Sequence, residues 1–289
     1  MLGDLADLLT MFPEAVIAGA VIAIACGCLG VFVILKRVVF IGITLAQAAA
    51  AGVAAAMVLG FSPFLGAAAL TLATVTALAF PFETQRIPRD AVLGAIFVLA
   101  AGGSILIVAK SGFGLVEVKA VLYGDLILTQ RGDLAVILAT LVPAFLLLVL
   151  FWRPMVYTFV DREAARVLGI RAFVWELAYF YILGIAVSAA SKVGGALLVF
   201  AYLVVPPSAA LLLTRRLVAA AAISAAIALL CTFAGLWAAV RYDQPTNHVI
   251  AVATFACLVL AGVVRLAARA ARPRIEMPQG MTRKPTSSD

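Results

Sequence analysis

Charge is the scarcest property of this 289-residue chain: Asp, Glu, Lys and Arg make up 12% of it, against 65% hydrophobic residues. Soluble domains carry about 25% charged residues, and no water-facing shell could cover so much apolar surface with so few. Histidine occurs once and cysteine four times. A single imidazole cannot assemble a multi-histidine zinc site. No His-Glu-x-x-His pair, Cys-x-x-Cys or nucleophile elbow occurs, and no phosphate-binding Gly-x-x-x-x-Gly-Lys-[Ser/Thr] loop. The nearest stretch to the latter, Gly103 to Lys110-Ser111, has Ala109 where the second glycine must stand. These absences disfavour an enzyme and place any ATP hydrolysis on another chain.

Long apolar runs are abundant. They last about 20 residues, the length of a helix crossing roughly 30 Å of hydrocarbon, without the alternation of barrel strands. Their charged breaks divide them into 14–35, 39–60, 62–82, 91–109, 133–152, 172–190, 193–213, 217–240 and 248–270. The expected fold is an all-α polytopic bundle of about eight or nine spanning helices. Gly194-Gly195 and Pro206-Pro207 interrupt the seventh segment, and broken backbone at membrane depth needs protein or water around it. One membrane domain covers residues 1–270; the Pro-, Ser- and Lys-containing tail, 271–289, reads as disordered.

The net charge of +7 does not indicate nucleic acid, because the basic residues are spread over the loops rather than gathered on one face. Their spread sets the orientation instead. With the N-terminus outside, 16 of the 21 Lys and Arg residues fall in inside segments, as the positive-inside rule expects. The C-terminus is then cytoplasmic. Residues 14–35 lack a basic n-region and end in Lys36-Arg37, so they read as a retained helix rather than a removable signal. Cys26, Cys28, Cys231 and Cys257 all fall within apolar runs, as small packing residues rather than a disulfide framework.

Polar residues inside a bilayer are candidates for a substrate path or for helix contacts. Gln47 sits in the Ala-rich run 46–52 with Thr44 nearby, and its amide suits either role. Glu176, a turn into the sixth segment, either reaches the inner headgroups or serves transport. Asp125, Asp133, Asp243 and His248 fall on the outer side, where an incoming cation first meets protein; each alone reads first as a solvated loop residue, and Asp243 and His248 gain weight by flanking the turn 244–247. Inside, residues 160–169 combine good helix formers with a terminal Gly169, a short amphipathic helix ending in a glycine cap. Arg162 and Arg166 stand one turn apart there. After Pro206, Pro207 and Ser208 lead to the basic pair Arg215-Arg216; the stretch is either a short helix starting at Pro207 or a kink in one helix.

Several of these stretches, in order along about residues 14–265, resemble the ABC-type metal-uptake permeases that import manganese, zinc or iron(II). The end of the first segment, 28–37, is similar to that family's first helix end. Tyr123-Gly124-Asp125 is similar to its Phe-Gly-Asn segment, and Asp161, Glu163, Ala164 and Gly169 to its Asp-x-Glu-x-Ala pattern. Residues 193–206 resemble its Val-Gly to Leu-Ile-x-Pro stretch, and Asp243-Gln244-Pro245 its late Asp-x-Pro turn. The resemblance implies a permease homodimer or pseudo-dimer in a bacterial inner membrane. It also implies a cytoplasmic ATP-binding-cassette ATPase carrying the ATP and Mg, with no cofactor on this chain, and an external substrate-binding protein. By the same analogy the segment after Pro206, with Pro207, Ser208, Arg215 and Arg216, is the coupling element, and Asp161 and Glu163 belong to the ATPase side. Thr44, Gln47, Asp125, Asp243 and His248 are the implied substrate pathway.

One departure stands out. The family's second helix carries Gly-Asp-Ala-Leu-Ser-His, an Asp and a His on one helix face that can ligate a dication together. Here the run is Gly42-Ile43-Thr44-Leu45-Ala46-Gln47: Ile43 offers no ligand atom and Gln47 only a neutral oxygen. Three readings follow. The chain is a divalent-metal permease using other groups; the same machine for a non-metal or chelated-metal ligand; or an ATP-independent channel or membrane scaffold.

Overall fold

The computed structural model describes residues 11–79, 89–110, 124–160 and 162–270. Asp161, the tail 271–289 and Tyr123 of the Tyr-Gly-Asp motif lie outside them. The described residues form α-helices and one 3-10 turn, without strands. The helices are α1 (Pro13–Leu35), α2 (Val39–Leu59), α3 (Pro63–Ala79), α4 (Arg89–Lys110), α5 (Arg131–Leu150), α6 (Trp152–Val160), α7 (Arg162–Val167), α8 (Ala172–Leu213), α9 (Leu217–Tyr242) and α10 (Thr246–Ala270). The 3-10 turn, Leu126–Leu128, precedes α5. Seven of the helices are long and apolar enough to cross a membrane, and α3 is a shorter apolar helix.

α8 has 42 residues, about 63 Å at 1.5 Å per residue and twice the thickness of the hydrocarbon. It does not run straight. Gly195 takes φ 67°, ψ 168°, a conformation open to glycine and closed to L side chains, and the helix folds back there. Glu176 on the first arm pairs with Lys36 at the end of α1, and Pro207 on the second arm packs on Gly30 of the same helix. In a straight helix these two residues would be about 46 Å apart. With α8 counted as two arms and the short α6 and α7 set aside, the described helices correspond one to one with the nine apolar runs of the sequence.

The break therefore falls at Gly194-Gly195, while the helix continues through Pro206 and Pro207 to Leu213. No separate helix begins at Pro207. Prolines at 206 and 207 leave the Leu203 carbonyl without an N–H at either i+3 or i+4, and α1 occupies the space. A Cβ at Gly30 would lie 2.2 Å from Leu203 O and 2.6 Å from Pro207 Cγ. The Gly30 Cα hydrogen points at the bare carbonyl, a weak hydrogen bond of about 0.5–1 kcal/mol. A second close crossing joins α2 to α3, where a Cβ on Gly52 would meet Gly66 O at 2.1 Å. Small residues at such crossings let backbones approach, which drives association in lipid where the hydrophobic effect does not.

α1 is the central post. Its core residues Ile22, Leu29, Val31, Phe32 and Val33 are fully buried, and side chains from other helices bond to its carbonyls. Tyr179 Oη donates to Leu29 O (2.7 Å) and Ser224 Oγ to Gly27 O (2.7 Å). Outer helices such as α4, α5 and α10 keep large apolar side chains exposed, among them Leu99, Leu150 and Val252, the face that lipid covers.

The stretch 153–171 holds two short helices where the sequence suggested one. α7 matches the expected amphipathic turn, and Gly169 (φ 74°) ends it with Gly169 N–H donating to Arg166 O. α6 was not anticipated. It turns Trp152, Met155 and Phe159 inward, and Phe159 meets Tyr179 (4.9 Å between ring centres) and Phe32 (5.5 Å).

Candidate functional site

α2 carries the residues most relevant to a substrate path. Most of it is buried, but Phe40, Ile43 and Gln47 form a more open stripe at i, i+3, i+7 spacing, one helical face. Within that stripe Gln47 Oε1 is shielded from solvent and has no hydrogen-bond partner among the described residues. An unmet buried acceptor costs about 1–3 kcal/mol. Thr44 has a different environment. It is fully buried, and its hydroxyl lies 2.9 Å from Phe40 O and 3.3 Å from Leu93 O, which ties α2 to α4. Gly42 beside them packs on Leu203 of the second arm of α8, so the stripe, the Pro206-Pro207 stretch and α1 share one region.

A second polar group surrounds the reversal of α8. Lys192 Nζ pairs with Asp133 of α5, and Asp133 also accepts from Gln130 N–H (3.4 Å), closing a capping box. Asn247, nearly fully buried, donates from Nδ2 to Gly194 O at 2.9 Å. Gly124 (φ 58°) fits beneath the reversal; a Cβ there would lie 2.5 Å from Val193 O and 2.6 Å from Gly195 N. Asp125 is exposed and caps the 3-10 turn, accepting from Ile127 N–H at 3.1 Å. Asp243 is exposed in the left-handed region (φ 52°) and ends α9. His248 is exposed in the first turn of α10, its N–H bonded to Pro245 O. Asp125, Asp243 and His248 thus stand at one end of the bundle, while Thr44 and Gln47 lie toward the other. Among the described residues no group of three or more His, Cys, Asp and Glu side chains comes together.

At the opposite end Lys36 Nζ meets Glu176 Oε2 at 3.0 Å, with both side chains largely shielded. Glu176 turns into the protein rather than out to headgroups. Of the implied coupling residues, Pro207 is buried inside α8, and Ser208 Oγ donates to Val204 O of its own helix (2.6 Å). Arg215 and Arg216 are exposed in the turn to α9, and Glu163 is exposed on α7. Beside Glu163 stand Val167, 88% exposed, and Leu168, 59% exposed, two apolar side chains at a polar end of the molecule. Sequence reasoning missed this pair and the Lys36–Glu176 contact. The i, i+3, i+7 spacing of Trp152, Met155 and Phe159 was a readable signal for α6; the 140-residue separation of Lys36 and Glu176 left none.

The long apolar helices, their close crossings and the reversal at Gly195 define a polytopic helical membrane protein. The profile of the ABC 3 transport family matches residues 9–265, and the chain belongs to that family. It is 29% identical over 249 residues to the manganese transport system membrane protein MntC of Halalkalibacterium halodurans, covering 86% of this chain and 85% of that one. It is 24% identical to the high-affinity zinc uptake system membrane protein ZnuB of Haemophilus influenzae, with 86% and 95% covered. With the chelated iron transport system membrane protein YfeC of Yersinia pestis it shares 27% identity, with 82% and 80% covered. Among solved structures, PsaBC from Streptococcus pneumoniae in complex with Fab superposes with a TM-score of 0.82 at 20% identity, covering 90% and 95% of the two chains. That likeness establishes the fold. As a member of this family the chain is a transporter's membrane subunit rather than an enzyme, and ATP hydrolysis falls to a separate partner.

Proposed function

We propose that this chain forms the pathway of an ATP-driven importer for a divalent metal, manganese or zinc, in a bacterial inner membrane. The Gln47 oxygen carries the reading: it is a buried acceptor without a partner, one turn from Ile43, on the helix face where the resembling family places its ligands. The names of the relatives support a metal cargo. A neutral oxygen does not balance a bare dication in low dielectric, so the ion passes with water retained or within a chelate. The chelate reading is the second one, favoured by Ile43 in place of a carboxylate.

The Lys36 end, with Arg37, Arg153, Arg166, Arg215 and Arg216 around it, is the cytoplasmic end by the positive-inside rule. Asp125, Asp243 and His248 then face an external substrate-binding protein. α7, with Glu163, Val167 and Leu168, is the surface received by a cytoplasmic ATP-binding-cassette ATPase. That ATPase, not this chain, binds ATP and Mg. Arg215 and Arg216 flank the same surface, and a second permease copy completes the pathway.

The test is ATP hydrolysis by the reconstituted complex, with its external binding protein, titrated in turn with manganese(II), zinc(II) and a metal chelate. Stimulation by one free dication supports the first reading; stimulation by the chelate alone moves the assignment to the second. No response to any of them removes the metal assignment.

A further inference from the structure

The contacts around Lys36 join elements that the functional reading keeps apart. Lys36 closes α1, the post on which both arms of α8 pack. Its Nζ lies 3.0 Å from Glu176 Oε2 on the first arm and 5.6 Å from the centre of the Phe159 ring on α6. The side chains are only 20% and 11% exposed. Phe159 in turn stacks edge-on against Tyr179 of the first arm and Phe32 of α1, and Phe32 meets Trp152 at 5.0 Å. Met155 fills the space beneath, fully buried. α6 is thus fixed to α1 and to the first arm of α8 by its aromatic contacts, with the Lys36–Glu176 pair beside Phe159, and α7 follows after a single residue.

α1 continues the path. Six residues before Lys36, Gly30 touches Leu203 and Pro207 of the second arm, and Leu203 packs on Gly42 of α2, next to Ile43 in the chain. The connected series runs α7, α6, Lys36–Glu176, α1, Leu203, α2.

We propose that Lys36 and Glu176 are a positioning pair that makes the ATPase-facing helices α6 and α7 move as one body with α1 and the first arm of α8, so that ATPase motion reaches the α2 stripe. This rests on α7 being the ATPase-facing surface. Neither residue touches cargo; their work is to keep α6 from sliding over α1. Without the Glu176 carboxylate, the Lys36 ammonium would be drawn toward water and away from the Phe159 ring.

The experiment uses the full complex in proteoliposomes with ATPase and external binding protein, comparing wild type with K36M, E176Q and the exchange K36E/E176K. Two quantities are read: metal(II) accumulated per ATP hydrolysed, using whichever of manganese and zinc the wild type takes up, and the fold by which the binding protein stimulates hydrolysis. The second needs no knowledge of the cargo. The single variants are expected to keep their ATPase and basal hydrolysis within about twofold, while both coupled quantities fall about tenfold, within the usual range of coupling between sites. The exchange restores them to within about threefold of wild type. A merely structural role would reduce protein yield while leaving uptake per ATP unchanged, and that result overturns the proposal. Should neither single variant insert, F159L is decisive: it keeps the site apolar, removes the ring under Lys36, and must also lower both quantities. If the wild-type chain binds no ATPase, the functional reading itself falls; if it does and the variants stay coupled, only the positioning pair falls.

Discussion

Replacing Gly30 with Ala puts one methyl group where α1 and the second arm of α8 meet, and the structure fixes its neighbours. The added Cβ would lie 2.2 Å from Leu203 O, 2.6 Å from Pro207 Cγ and 2.8 Å from Leu203 C. Two of these are backbone atoms and the third belongs to a proline ring, so no flexible side chain can swing away. Overpacking of this kind costs about 1–3 kcal/mol, and the lost Cα–H···O contact about 0.5–1 kcal/mol more. Helix propensity returns about 1 kcal/mol for Gly to Ala, which leaves a net loss of about 0.5–3 kcal/mol. At roughly 2–4 °C per kcal/mol for a domain of this size, the midpoint falls by about 1–12 °C. Gly103 provides the control, because a Cβ there meets nothing within 4 Å; G103A keeps only the propensity gain and is expected to rise by about 2–4 °C. The assay is thermal unfolding of both variants and wild type in one detergent, at one scan rate. If G30A melts with or above G103A, α1 and α8 do not cross as described.

Arg37 occupies the left-handed region (φ 58°) at the end of α1, with Arg37 N–H donating to Ile34 O and Val38 N–H to Val33 O, a cap that glycine fills more cheaply. R37G is therefore expected to stabilise the chain by about 1 kcal/mol, read as a higher midpoint; a lower one would mean that the arginine side chain carries more than the strain costs. Q47L removes the unmet acceptor while keeping the bulk, so stability should hold or rise by about 1 kcal/mol while uptake collapses; full uptake would remove Gln47 from the pathway. V167D introduces a carboxylate at the exposed tip of α7 and should reduce ATPase co-purification about tenfold without moving the midpoint by more than about 1 °C, as expected for an exposed site; unchanged recovery would place docking elsewhere.

The spans were legible because lipid imposes one rule on them, about 20 apolar residues between charged breaks. The reversal of α8 was half legible. Gly194-Gly195 and Pro206-Pro207 both read as interruptions, and only packing decides between them: Gly124 fits under the first, while Gly30 fills the gap left by the second and keeps that helix continuous. Gly169 announced the end of α7 by its chemistry alone. The apolar spacing of α6 was readable but masked, because a nine-residue helix directly after a 20-residue span reads as the start of a loop. At the site, Gln47 was legible as a polar residue in an apolar run, whereas the environments of Thr44 and Glu176 depend on α4 and α1, which no local pattern encodes. The placement of Pro207 and Ser208 inside the packed helix, with Val167 and Leu168 exposed instead, is likewise a property of the assembled bundle.

The account rests on cargo crossing this bundle only when ATP is hydrolysed on the Lys36 side. The direct measurement is accumulation of manganese(II) or zinc(II) by proteoliposomes holding the chain, its ATPase and the external binding protein, with and without ATP on the ATPase side. Accumulation above the external concentration, abolished when ATP or the ATPase is omitted, is the expected result. Equilibration of the ion without ATP would contradict it and make the chain a channel.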